Sequence, residues 1–205
     1  QLAQHLLDDD DTLAAGLRTP AQPLCVLDLG AGGGRLAALL CERLSMAGVR
    51  YQYVMTDLAA ANVAAWQRHP RLKGLADAGV LDFAVADAGR PEALGLVTQG
   101  AVWEPGALPG PLVAIGCYLF DTLPHSAWRK RGGVLEAGRV TLSTRGDAIG
   151  LEPPPLERVD WDFSFVSAPK PRGFMRGYAQ TLSDGPFLVP VGAFACLQAL
   201  ARLGG

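Results

Sequence analysis

The stretch CVLDLGAGGGRLAALL, residues 25–40, sets an aspartate near the end of an apolar run and then places four glycines within five positions. Glycine turns of this kind bare the backbone, so a ligand can approach the N–H groups and the positive end of the helix that follows. Two registers compete. The dinucleotide pattern G-x-G-x-x-G fits Gly30 and Gly32 but ends on Arg35, whose side chain obstructs the approach of a pyrophosphate. The register acid-x-G-x-G-x-G fits throughout, as Asp28, Gly30, Gly32 and Gly34. Two further carboxylates stand at matching places. Asp57 closes YVMTD, where a carboxylate can accept both hydroxyls of a ribose, and Asp87 follows at the end of the third strand in LDFAVADA. Taken singly, each has an ordinary alternative: a tight turn that binds nothing, or a surface aspartate at a strand end. Their order and spacing after the glycines set the strand ends at 28, 57 and 87 along one crevice at the carboxyl edge of the sheet, the expected ligand site of such folds.

The elements that must position these residues alternate. PLCVLDL, YQYVMTD, GVLDFAVADA and GPLVAIGCYL read as short buried strands. GRLAALLCERLSMAG reads as a helix with Leu36, Leu39, Leu40 and Leu44 on one stripe, AAANVAAWQRHP as a helix stopped by proline, and RPEALGLVTQG as a shorter helix. This order predicts an α/β fold, a Rossmann-like, doubly wound and mostly parallel sheet with right-handed crossovers. The pattern then changes. GGVLEAGRVTLST reads as a hairpin turning near Ala137 and Gly138, GLEPPPLERVDWDF as a proline-rich connection or edge, and PRGFMRGYAQTL as a helix. VPVGAFACLQALARLGG reads as a buried helix. The expected organisation is a core over 1–132, an inserted cap over 133–186 and a return helix over 187–205. A helix of that last type needs a strand to feed, so the C-terminal strands of the fold are expected beyond Gly205, in a longer chain. The acidic run LLDDDDTLAAGL reads as a solvated helix start rather than a calcium loop.

Composition excludes several classes. The 205 residues are 49% hydrophobic and 19% charged, with a net charge of -2, which is globular and offers no basic surface for nucleic acid. Cys25, Cys41, Cys117 and Cys196 are scattered, with no CxxC pair and no metal-ligand spacing, as for reduced thiols in an intracellular protein with no metal. The run FLVPVGAFACLQALA is too short and too broken to insert in a membrane.

The acid-x-G-x-G-x-G register at Asp28–Gly34 resembles motif I of the class I S-adenosylmethionine-dependent methyltransferases. There the turn packs against the methionine part of the cofactor. The longer series YVMTDLAAANVAAWQRHPRL, GVLDFAVADA and PLVAIGCYLFDTLPHSAW, with DFSF and PFLVPVGAFACLQAL later on, is similar to the MidA-like methyltransferases and their relatives that carry tetratricopeptide repeats. The likeness covers most of residues 24–203. It implies S-adenosylmethionine as the cofactor and a protein as substrate or partner. For the mitochondrial member of that family it implies arginine methylation of a complex I subunit during assembly, and so a cytoplasmic or organellar setting.

In that family the fourth strand runs into Asn-[Glu or Tyr]-x-x-Asp-[Ala or Ser]-[Leu or Ile]-Pro. Here the segment reads Cys117-Tyr118-Leu119-Phe120-Asp121-Thr122-Leu123-Pro124. The asparagine is replaced by Cys117, and a thiol orients a substrate nitrogen poorly. Each candidate has two readings: Cys117 as a lost positioning group or a small buried hydrophobe, Tyr118 as a wall of the methyl pocket or a core filler, Asp121 as a steering group for a cationic acceptor or a cap on a helix TLPHSAW. His69 and His125 read as loop residues, and RKR at 129–131 as a solvated turn. Two functions follow: an active methyltransferase, or a methyltransferase-like subunit without catalysis that serves a scaffold or assembly role.

Overall fold

The computed structural model describes residues 22–90, 93–144, 156–167 and 174–205. The acidic run at 6–17 lies outside them, as does part of the proline-rich segment. The described chain divides into two compact units, one formed by residues up to Pro124 together with Gly192–Gly205, the other by His125–Val191.

The first unit is built on four parallel strands, β1 (Leu24–Leu29), β2 (Tyr51–Asp57), β3 (Leu81–Val85) and β6 (Leu112–Ile115), in the order β3-β2-β1-β6. This is a Rossmann-like arrangement. Strand alternation sends Leu24 and Val26 to one side of β1, and Cys25, Leu27 and Leu29 to the other. The first side is covered by α1 (Arg35–Met46), α2 (Ala60–Arg68) and α3 (Pro70–Asp77). The second meets α5 (Val191–Gly204) through Cys196, Leu200 and Leu203, beside a small hairpin of β4 (Leu94–Gly95) and β5 (Val102–Trp103). Both faces of a parallel sheet are thereby buried, and its strands accordingly read as nearly unbroken apolar runs.

Two local expectations are corrected and a third is extended. On α1 the buried stripe is Ala37, Ala38, Cys41 and Leu44, while Leu36 and Leu39 are exposed. The small residues let the helix lie close to the sheet, and the bulk of the leucines turns outward. A helix is expected over residues 90–100, but the described residues 94–103 form the β4–β5 hairpin. Asp82, fully buried on β3, accepts the backbone N–H groups of Phe83, Thr98 and Gln99 at 2.7–2.9 Å, which pins the segment in a turn. Pro70 does more than stop α2. His69, held extended before it, ends α2 at Arg68, and the proline then opens α3 at its first position.

The second unit is an antiparallel sheet, β10-β7-β8-β9, of β7 (Ser126–Arg131), β8 (Val134–Thr144), β9 (Val159–Ser167) and β10 (Gly185–Val189), with the helix α4 (Phe174–Thr181). Its tight turn is Gly132-Gly133, both at positive φ, and not Ala137-Gly138. Gly138 lies inside β8, where a Cβ would stand 2.8 Å from that of Ala127 and 2.9 Å from the Phe163 ring. Arg129, Lys130 and Arg131 are therefore strand residues. Arg129 pairs with Glu136 at 2.6 Å, and Lys130 donates to the Leu182 carbonyl at 2.7 Å. Ser126 and the residues after it are also in a strand, so no helix forms over TLPHSAW.

Candidate functional site

β1 has β2 on one side and β6 on the other, so the chain changes direction across the sheet at its carboxyl end. Crevices for ligands open at such a point in α/β sheets. The turn Gly30–Gly34 leaves β1 there. Gly30, Gly32 and Gly34 have φ of 63°, 57° and 72°, a region that costs other residues about 1 kcal/mol or more. Added Cβ atoms would meet different things. At Gly34 they would run into the ends of Leu72 and Met55 at 2.7 and 2.9 Å, and at Gly30 they would crowd Leu119 at 3.3 Å. At Gly32 and Gly33 they would meet nothing within 4 Å. The middle of the turn thus borders open space, while its far end is packed. Gly34 caps α1 and, having no side chain, supplies no cap hydrogen bond to the first-turn amides.

Neighbouring elements hold the turn from below. The Ala31 N–H donates to the Thr56 carbonyl at 3.0 Å, Thr56 Oγ1 donates to the Asp28 carbonyl at 3.1 Å, and Trp66 Nε1 donates to the Gly32 carbonyl at 2.8 Å. Asp28 is 2% exposed, and its Oδ2 accepts from the Tyr53 hydroxyl at 2.9 Å. Burial pushes the Asp28 carboxyl up to about 6, partly offset by that hydrogen bond. The Tyr53 hydroxyl is itself pushed well up by burial and by the adjacent carboxylate. A third group, the Cys41 thiol of α1, is raised to about 11, chiefly by burial, with a smaller contribution from the charge of Asp28.

Asp57 ends β2 half-buried. Its Oδ1 accepts the Ala59 N–H at 2.8 Å and its Oδ2 accepts from Asn62 Nδ2 at 2.9 Å. Each oxygen keeps a second lone pair, so the carboxylate is oriented without being used up. Leu58, the next residue, is 71% exposed and offers an apolar surface at the rim. Asp87 is exposed two residues past β3, with Oδ1 accepting the Gly89 N–H at 2.8 Å. The registers Leu29 to Thr56, Asp57 to Val85 and Asp28 to Ile115 put the glycine turn, Asp57, Asp87 and Cys117 at the same edge of the sheet.

After β6, Cys117 and Asp121 are exposed, while Leu119 and Phe120 pack into the core. Tyr118 is 92% exposed at φ 52°, a left-handed position rare for an aromatic residue. Cys117 is thus not a buried hydrophobe, nor does Tyr118 fill the core. Sequence reasoning missed Trp66, Tyr53, Thr56 and Asn62, the groups that fix the turn and the carboxylates. The visible signal was polar hydrogen-bonding groups inside segments otherwise patterned for burial.

No family model matches the chain, and no curated protein does. Among solved structures it is similar to a "likely methyl transferase" from Burkholderia thailandensis bound to S-adenosyl-homocysteine, at 20% identity and a TM-score of 0.53. That likeness covers 97% of this chain and 42% of the other. An uncharacterized protein of the same superfamily and organism is similar at 19% identity and a TM-score of 0.52, over 97% of this chain and 43% of its own. The chain therefore spans about two fifths of their length. It shares with both the Rossmann-like α/β fold.

Proposed function

We propose that the chain is an S-adenosylmethionine-dependent methyltransferase domain. The observation that carries this reading is the glycine turn at the strand-order reversal, open at Gly32 and Gly33 and flanked by an oriented, half-buried carboxylate at Asp57. The similar structure bound to S-adenosyl-homocysteine supports the same ligand. When bound, that cofactor supplies a methyl group on a positively charged sulfur, ready for in-line displacement. In this reading the backbone of Gly30, Gly32 and Gly34 receives the amino-acid end, Asp57 accepts from the ribose hydroxyls, Leu58 lies against the purine, and Asp87 stands near its amino group. Asp28 acts by holding the turn through Tyr53 and Thr56. The acceptor enters by the loop after β6, where Tyr118 walls the methyl pocket and Asp121 steers a cationic acceptor. A protein side chain, arginine by the family resemblance, is the proposed acceptor, in a cytoplasmic or organellar compartment. No helix among the described residues is long and apolar enough to cross a membrane.

The exposed Cys117, standing where the resemblance implies asparagine, favours a second reading: a cofactor-binding subunit that has lost catalysis and serves assembly. Titration calorimetry with S-adenosyl-homocysteine tests the first part. Binding that Asp57→Ala weakens supports the cofactor site, and no measurable heat at millimolar ligand overturns it. A methyl-transfer assay on candidate proteins then separates the two readings.

A further inference from the structure

The antiparallel sheet of the second unit has two unlike sides. Along β8 and β9, Arg139, Thr141 and Ser143 stand opposite Ser164, Asp162 and Asp160, a polar ladder. The alternate positions pair Val140 with Phe163 and Leu142 with Trp161, and strand alternation turns them to the reverse side. Leu188 of β10 joins that side through its partner Ala127 on β7, which lies against Gly138. Phe163 and Phe165 meet edge to face at 5.0 Å, and the Arg129 guanidinium lies 4.2 Å from the Phe165 ring centre.

Val140, Leu142, Trp161, Phe163 and Leu188 are each between 40% and 72% exposed. Together they present on the order of 500 Å² of apolar surface. That sits near the top of the range for the largest patch on an ordinary monomer, about 300–600 Å². It also fits one half of a standard-size interface between two chains, about 800 Å² per partner, of which about 56–65% is apolar. The charges on this side do not oppose such a pairing. Arg129 donates to Glu136 at 2.6 Å, so the acid and the base that flank the apolar positions at one end cancel, with Ser167 beside them, and Arg131 and Thr144 lie further out along the strands. An apolar face whose flanking acid and base already neutralise each other meets a copy of itself with little like-charge repulsion.

We propose that this side of the β10-β7-β8-β9 sheet is the contact between two copies of the chain, paired about a two-fold axis. The proposal goes beyond the cofactor reading and does not depend on it. Sedimentation velocity on the 205-residue chain at concentrations of about 1–100 µM tests it. The expected result is a dimer, with Trp161→Lys and Leu142→Lys each weakening association by at least about 100-fold, because each would bury an unpaired charge. Asp162→Lys, on the polar side, is expected to leave the dimer intact. Circular dichroism checks that each variant keeps its fold, and Leu142→Ser gives the same reading should a lysine variant lose it. A wild-type chain that stays monomeric to 100 µM overturns the proposal, including one that engages only a different protein through this face. So does a dimer that survives the substitutions at Trp161 and Leu142 unchanged.

Discussion

Tyr53 lies two residues before the strand partner of Asp28, and its hydroxyl donates to the Asp28 carboxylate at 2.9 Å inside the core. The diagonal spacing is what two parallel strands allow on one face, and it places a carboxylate raised to about 6 directly beneath the glycine turn. The folded carboxyl thus titrates above its ordinary 3.8. Its contribution is complete below about pH 4 and is lost as pH rises through about 6, since the unfolded chain gives up the proton first. Asp28→Asn keeps an acceptor for Tyr53 and removes the titration. The variant is expected to gain on the wild type by about 2–3 kcal/mol between pH 4 and pH 7, then run parallel. Urea unfolding at each pH checks this, and a constant difference across the range would refute it.

Tyr53→Phe removes the one side-chain hydrogen bond to the Asp28 carboxylate among the described residues. A loss of about 1–3 kcal/mol is expected at pH 8, shrinking toward pH 4 where the carboxyl is neutral in the folded state. Thermal unfolding of the same variant at the two pH values is the measurement.

Gly32→Ala and Gly34→Ala separate ligand room from packing. Both sites carry positive φ, but only the Gly34 Cβ meets other side chains. Alanine at 32 is expected to cost about 1 kcal/mol in stability and at least tenfold in affinity for S-adenosyl-homocysteine. Alanine at 34 is expected to cost more stability, with Leu72 and Met55 forced to shift. Equal affinity for the wild type and Gly32→Ala would remove the turn from the ligand site.

Gly110→Ala tests a contact far from any ligand. A Cβ at 110 would collide with the backbone carbonyl of Pro23, which flanks the first strand and cannot swing aside as a side-chain tip would. A destabilisation above about 3 kcal/mol is expected, since overpacking of this kind displaces backbone. Calorimetric unfolding would show it, and a Tm within a degree or two of wild type would contradict the close approach.

Cys117→Asn restores the amide that the family resemblance implies. If the domain is active, the variant is expected to raise kcat by at least tenfold and leave cofactor affinity unchanged, because an acceptor-positioning group acts on the transfer geometry. An unchanged rate in an active protein would mean that Cys117 does not border the acceptor.

The parallel core was legible because buried strands are runs of apolar residues with little else to read. LCVLDL and YQYVMTD end where their patterns do. The hairpin at Leu94–Trp103 was not, since the cause is Asp82, a single buried carboxylate whose three backbone donors are named by no local pattern. Similarly, Gly138 looked like a turn because glycine serves both turns and crowded strands. Only the approach of Ala127 and Phe163 decides between them. In the candidate site, the glycines and the strand-end aspartates could be read from spacing. Trp66, which anchors the Gly32 carbonyl from thirty-four residues away, could not.

The helix α5 covers Leu27, Leu29 and Val54 through Cys196, Leu200 and Leu203, yet residues 125–190, nearly all of the second unit, separate it in the chain from the strands it covers. During synthesis those strands leave the ribosome long before their cover exists. At about 5–20 residues per second, the intervening unit keeps that side of the sheet waiting for several seconds. The second unit, continuous in sequence, can close first. The nascent protein therefore matures from the middle of its sequence outward in time, and the side of the sheet that α5 covers is the last to be buried.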